Sequence, residues 1–144
     1  METLRAGGAA VIPGATVIHL DTNCLIALGN ASSPTGSALL KRLADGGSLR
    51  VSIMAWAEFQ CGGPGGLRPE EDAAARAAVD GVLPPTEVEG EFAARLFNAT
   101  GRRSRSLPDC LIAACAIQAG APLATENTAD FQLFLEHGLR LAAL

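Results

Sequence analysis

The sequence predicts an α/β layered domain with a mostly parallel central sheet of four to five strands. Short runs of strand character at 17–20 (VIHL), 49–52 (LRVS), 122–125 (PLAT) and 139–142 (LRLA) alternate with longer segments of helical period. Glycine and proline punctuate the junctions between them, at Gly46-Gly47, Gly62 to Gly66, Pro84-Pro85 and Gly120. The chain has 144 residues, enough for one domain that buries roughly two thirds of its unfolded surface and too few for two comfortable ones. Strands that alternate with helices form parallel sheets closed by helical crossovers, and sites in such sheets gather beyond the strand C-termini.

Taken in order, Val17 to Leu20 is the first strand. A short helix from Asn23 to Leu28 follows, capped by Asp21 or Thr22 and closed by Gly29. Ser33-Pro34 opens a second helix with Leu39, Leu40 and Leu43 on one face, and Gly46-Gly47 ends it. Leu49 to Ser52 is the second strand. Ser52 can cap a third helix, Ile53 to Gln60, which is apolar on nearly every side except at Glu58 and is therefore expected to be buried. After the GGPGG loop, Pro69-Glu70-Glu71-Asp72 starts a helix with acids where the macrodipole favours them, running to Val79. Val82-Leu83 reads as a strand or a link. Thr86 to Thr100 is an amphipathic helix with Phe92, Leu96 and Phe97 inward, ended by Gly101. Ser106-Leu107-Pro108-Asp109 places a cap, a first-turn proline and an acid before an apolar helix to Ala119. Pro122 to Thr125 is then a strand, Asn127 to Asp130 a turn, Phe131 to His137 a short helix and Leu139 to Ala142 a last strand.

Composition narrows the class. The chain is 49% hydrophobic, with a formal net charge of −4, one Trp and no Tyr. Its mean hydropathy of +0.26 excludes a disordered chain. An acidic total argues against a broadly basic nucleic-acid binder, so any RNA contact must be local. Cys24, Cys61, Cys110 and Cys115 contain no CxxC pair and, with only His19 and His137 beside them, assemble no usual zinc pattern; they read as buried reduced thiols. The longest strongly apolar run, Leu111 to Ile117, falls far short of the ~20 residues of a spanning helix. Residues 1–15 make a poor signal peptide and are expected to form a flexible extension, with residues 16–144 the folded domain. A soluble protein of the reducing cytoplasm, with no membrane contact, is the resulting expectation.

Three carboxylates stand apart. Asp21 is the only charged residue between Arg5 and Lys41, Glu58 the only one between Arg50 and Arg68, and Asp109 the only one between Arg105 and Glu126. Singly, each has an ordinary reading. Asp21 serves equally as a helix cap, Asp109 completes a near capping box with Ser106, and Glu58 is an unremarkable solvated helix residue. Jointly, three acids in core-like stretches are hard to explain without a shared cation, because an unpaired buried carboxylate costs several kcal/mol or takes up a proton. Mg²⁺ or Mn²⁺ suits an all-oxygen set, since one or two direct carboxylates suffice and the others act through water. Phosphodiester hydrolysis is the chemistry such a cluster supports.

On these residues the chain resembles the PIN-domain family, and more narrowly its VapC-type ribonuclease toxins of type II toxin–antitoxin systems. The matching pieces are VIHLDTNCLIAL at 17–28, VSIMAWAEFQCG at 51–62, GRRSRSLPDCLIAACAIQAGAPLAT at 101–125 and TENTADF at 125–131. The resemblance implies a three-layer α/β/α sandwich, with the family's three acids at Asp21, Glu58 and Asp109. A fourth acidic or amide position falls on Asn127 or Asp130, with Asn127 the better placed to act through water and equally readable as a turn or cap residue. It further implies Mg²⁺- or Mn²⁺-dependent endoribonuclease activity, inhibition by a small VapB-like antitoxin, and a homodimer. His19 and Cys24 depart from the apolar residues usual at those places.

Arg102, Arg103 and Arg105 form the only basic cluster, placed either to hold RNA phosphates or simply to solvate a helix start. The hydroxyl of Thr22 or Thr125 is placed to orient a metal-bound water, with capping the simpler role for Thr22. A phosphoacceptor receiver fits poorly, because Lys41 is the only lysine and a late one is needed. A haloacid-dehalogenase-like phosphatase also fails, because Asn23 stands where its second Asp belongs. The remaining alternative is a PIN-like scaffold that binds RNA or a partner without catalysis.

Overall fold

The computed structural model describes residues 16–102 and 107–144. Four strands form one parallel sheet: β1 (Val17–Leu20), β2 (Ser48–Ser52), β3 (Gly81–Leu83) and β4 (Leu123–Ala124), in the order β3-β2-β1-β4. Register is set by Ile18 opposite Leu49, Arg50 opposite Gly81, and Leu20 opposite Ala124. Helices α1 (Thr22–Leu28), α2 (Pro34–Ala44), α3 (Ile53–Cys61), α4 (Pro69–Ala78), α5 (Glu87–Ala99), α6 (Leu107–Ala119) and α7 (Thr128–Phe131) complete an α/β/α sandwich, with a 3-10 helix at Gln132–His137.

The strands are short and apolar because both sheet faces are covered. Ile18, Leu20, Leu49, Val51 and Leu123 are all at or below 1% exposure. Each such side chain contributes roughly 1.5–3 kcal/mol by leaving water. Phe59, Phe131 and Phe134 fill the remaining volume, the last two in edge-to-face contact. On α2, Gly36 allows close approach to α1, since a Cβ there would stand 2.2 Å from the Ala27 carbonyl oxygen. Helix starts follow the sequence signals: Ser33 accepts from the Gly36 amide, Ser52 from Ala55, and Thr86 from Val88.

Several expectations change. The last strand shrinks to a single parallel bridge between Leu141 and Leu123, with flanking hydrogen bonds from Leu123 N to Arg140 O and from Ala142 N to Leu123 O. The sheet therefore has four strands. Helix α3 is not buried all round: only Ala55 and Phe59 are sealed, and Ile53 is 41% exposed. Ser52 is both the last residue of β2 and the cap of α3, so the helix leaves the C-terminal end of the strand where the sheet places it, and one stripe alone reaches the core. Asn127 to Asp130 is not a free turn. Asn127 is the N-cap of α7, which runs on into the 3-10 helix and ends at Gly138 with φ 107°. Cys24, Cys110 and Cys115 are buried as expected, whereas Cys61 is exposed at the last position of α3, and no disulfide joins any of the four. No helix among the described residues is long and apolar enough to cross a membrane. Residues 1–15 and the cap expected at Ser106 lie outside the described residues.

Candidate functional site

The strand order positions the site. From β1 the chain steps outward through β2 to β3, then returns to place β4 on the other side of β1. The crevice beyond the C-termini of β1 and β4 is thus a topological switch point, the usual place for ligands in open parallel sheets. Asp21 follows β1 directly and Thr125 follows β4. They meet across the crevice, where Thr125 Oγ1 donates to Asp21 Oδ2 at 2.8 Å.

An open cleft of about 310 Å³ begins there, lined by Asp21, Thr22, Asn23, Ile26, Glu58, Asp109 and Asn127. Of the acids and amides expected, Asp21, Glu58, Asp109 and Asn127 are therefore brought to one surface by β1, α3, α6 and the start of α7. Asp130 does not line the cleft, but its charge acts on both Asp21 and Asp109. Asp21 is 6% exposed, Asp109 half-buried and Glu58 exposed. The expectation that all three acids are buried thus fails at Glu58, because α3 turns that face outward.

Capping and site roles prove compatible at Asp21. Its Oδ1 accepts from the Thr22 amide at 2.7 Å while Oδ2 accepts from Thr125, and each oxygen keeps a further lone pair. Burial raises the Asp21 carboxyl above its ordinary range, the two hydrogen bonds pull it back, and the charges of Glu58 and Asp130 push it up again. Asp109 is pushed up to about 6, first by burial and then by Asp21, Asp130 and Glu58. None of the ion pairs among the described residues involves these acids. Among the described residues, negative charge is concentrated here with no cation paired to it.

The donor set fits a hard, partly hydrated cation. Every polar side chain lining the cleft offers oxygen, with no Cys or His among them. Among the described residues no three His, Cys, Asp or Glu side chains form a group able to hold an ion by themselves.

Two cleft residues carried no sequence signal. Asn23 Oδ1 accepts from the Glu126 amide at 3.1 Å, tying the loop after β4 to α1. Ile26 lies one turn beyond Thr22 on α1 and is 49% exposed, which only the i, i+4 spacing could have indicated. Thr22 does not cap: its hydroxyl donates to Glu58 Oε1 at 2.8 Å. Arg102 is not among the lining residues. It closes α5 in a left-handed conformation (φ 56°), its amide bonded to Phe97 O and its guanidinium 5.4 Å from the Phe97 ring centre and hydrogen-bonded to Asn98. Arg103 and Arg105 lie outside the described residues.

Solved structures share this fold. A chain of VapBC2 from Rickettsia felis, bound to a DNA fragment from its promoter, superposes with a TM-score of 0.65 at 20% identity, over 88% of this chain and 98% of that one. A toxin–antitoxin complex from Klebsiella pneumoniae gives 0.61 at 25% identity, over 79% and 89%. VapBC-1 from nontypeable Haemophilus influenzae gives 0.63 at 23% identity, over 88% and 97%. No curated protein sequence matches the chain. The family model of the PIN domain matches residues 18–133, a span that starts within β1 and takes in every residue that lines the cleft. By that match, which spans most of the chain, the chain belongs to the PIN domain family.

Proposed function

We propose that the protein is a Mg²⁺- or Mn²⁺-dependent endoribonuclease, the toxin of a VapBC-type pair, which hydrolyses RNA phosphodiester bonds and is restrained by a small VapB-like antitoxin. The observation that carries this reading is the convergence of Asp21, Glu58, Asp109 and Asn127, from four separate elements, on one acidic cleft at the switch point of the sheet. Family membership supports nucleolytic chemistry, and the likeness to a toxin–antitoxin complex and to VapBC2 and VapBC-1 supports an antitoxin partner.

In this reading Asp21, Glu58 and Asp109 hold the cation, with Asn127 and Asp130 acting through water. A bound divalent ion supplies a water of lowered pKa and offsets phosphate charge. Without it, the carboxylates would repel RNA. Thr125 keeps Asp21 in one orientation, and the Thr22 amide keeps its other oxygen turned to the helix start. The open mouth, flanked by exposed Glu58 and Ile26, leaves the cleft accessible to a single strand. In the same reading Arg102, Arg103 and Arg105 are the local cations that meet RNA phosphates, which requires Arg102 to leave Asn98 and Phe97. A homodimer is part of the same proposal.

The test is cleavage of RNA with Mg²⁺ or Mn²⁺ by the wild type and by Asp21→Asn. Loss of one charge-bearing ligand should reduce the rate by about 100-fold or more, in line with removal of a principal charge-stabilising group. Chelation should abolish cleavage. Equal cleavage by the two proteins would sink the proposal.

A further inference from the structure

Three consecutive side chains fasten two segments of the cleft, the loop after β4 and helix α3. Asp21 accepts from Thr125, Asn23 accepts from the Glu126 amide, and Thr22 donates to Glu58. The third of these differs in kind. Glu58 is exposed on α3, and its long side chain loses more rotamer freedom than most when held in place. The local field also works against retention, because the Glu58 charge acts on both Asp21 and Asp109, and like charges in one cleft repel. Left to itself, the carboxylate would swing toward bulk water.

Thr22 opposes that motion. It is β-branched and stiff at χ1, stands at the first position of α1, and adjoins Asp21, so its hydroxyl keeps a set place relative to that carboxylate. A hydroxyl donated to an ionised oxygen is one of the stronger hydrogen bonds available. We infer that Thr22 is a positioning residue that binds Glu58 Oε1 and so leaves Oε2 for the divalent cation held with Asp21. The inference rests on the metal-dependent reading above and deepens it.

Its test is the affinity for Mn²⁺ alone, measured by titration calorimetry without RNA, for the wild type, Thr22→Val, Thr22→Ser, Glu58→Ala and the Thr22→Val/Glu58→Ala double variant. Removing a group that orients a metal ligand should weaken Mn²⁺ binding about tenfold in Thr22→Val. Thr22→Ser should restore most of the affinity. The double variant should bind no more weakly than Glu58→Ala, because the hydroxyl acts through that carboxylate. Thermal melts of the metal-free variants check the fold, and Thr22→Ala takes the place of the valine if that variant does not fold. Unchanged affinity in Thr22→Val, or losses that add in the double variant, would overturn the positioning role and leave the metal reading standing. A wild type that binds no Mn²⁺ would overturn the metal reading and this inference with it.

Discussion

Asp109 shows how strongly burial and neighbouring charge bear on a single side chain. Its carboxyl group is pushed up to about 6 from an ordinary 3.8, by burial first and then by Asp21, Asp130 and Glu58. Below that ordinary value the folded and unfolded chains are both protonated, and the group is neutral to stability. As pH rises the unfolded chain ionises first, so the folded state bears a penalty that is complete above about pH 6. Asp109→Asn should therefore melt higher than the wild type at pH 7.5 without metal, and the two melts should meet below about pH 4. The side chain is half exposed, so screening cuts the benefit to about 1 kcal/mol, or about 3 °C. Saturating Mg²⁺ should raise the wild type more and close the gap. A lower melt for the variant at pH 7.5 would mean that Asp109 serves the fold as a cap instead. His19 pulls the opposite way: burial, and then Arg50, depress its pKa, so stability erodes as the unfolded chain takes up a proton below about 6.5.

Among the elements, those whose ends carry local chemistry were legible in advance. Ser33 with Pro34, Ser52, and Thr86 with Glu89 announce their helices, because a cap and its partner lie within one turn of sequence. What escaped depends on distant chain. The exposure of α3 follows from where β2 ends against its neighbours, and the reduction of the last strand to one bridge follows from how much of β4 is left to pair. Likewise Thr22 looked like a cap, because its partner Glu58 is 36 residues away. The α1–α2 contact gives the sharpest element-scale expectation. Gly36→Ala would drive a methyl group to 2.2 Å from the Ala27 carbonyl oxygen, so one helix must shift. Denaturant melts should show a loss of about 3 kcal/mol, at the upper end for overpacking. A loss within about 0.5 kcal/mol, as for an ordinary surface change, would mean that the two helices part easily.

Across the whole molecule, charge opposes the proposed substrate. A net −4 must approach a polyanion, so binding would depend on local cations and should weaken steeply with salt. Replacing Arg102, Arg103 and Arg105 together with alanine should lower the slope of log affinity against log salt by about 2, given about 0.7 per single-strand phosphate contact. An unchanged slope would remove these arginines from the interface and leave Arg102 as the closure of α5 on Phe97. The three isolated acids and their meeting at one site were readable because charge is rare in their stretches, whereas the other walls of the cleft were not, since they need the strand order to exist. That order also sets a schedule. Asp21 lies near the start of the chain, yet the hydroxyl that orients it comes from Thr125, 104 residues later. A chain that stops short of Thr125 would hold Asp21, Glu58 and Asp109 without β4 fully beside β1 and without the hydroxyl that orients Asp21, so the cleft is assembled only after its most distant segment has joined the sheet.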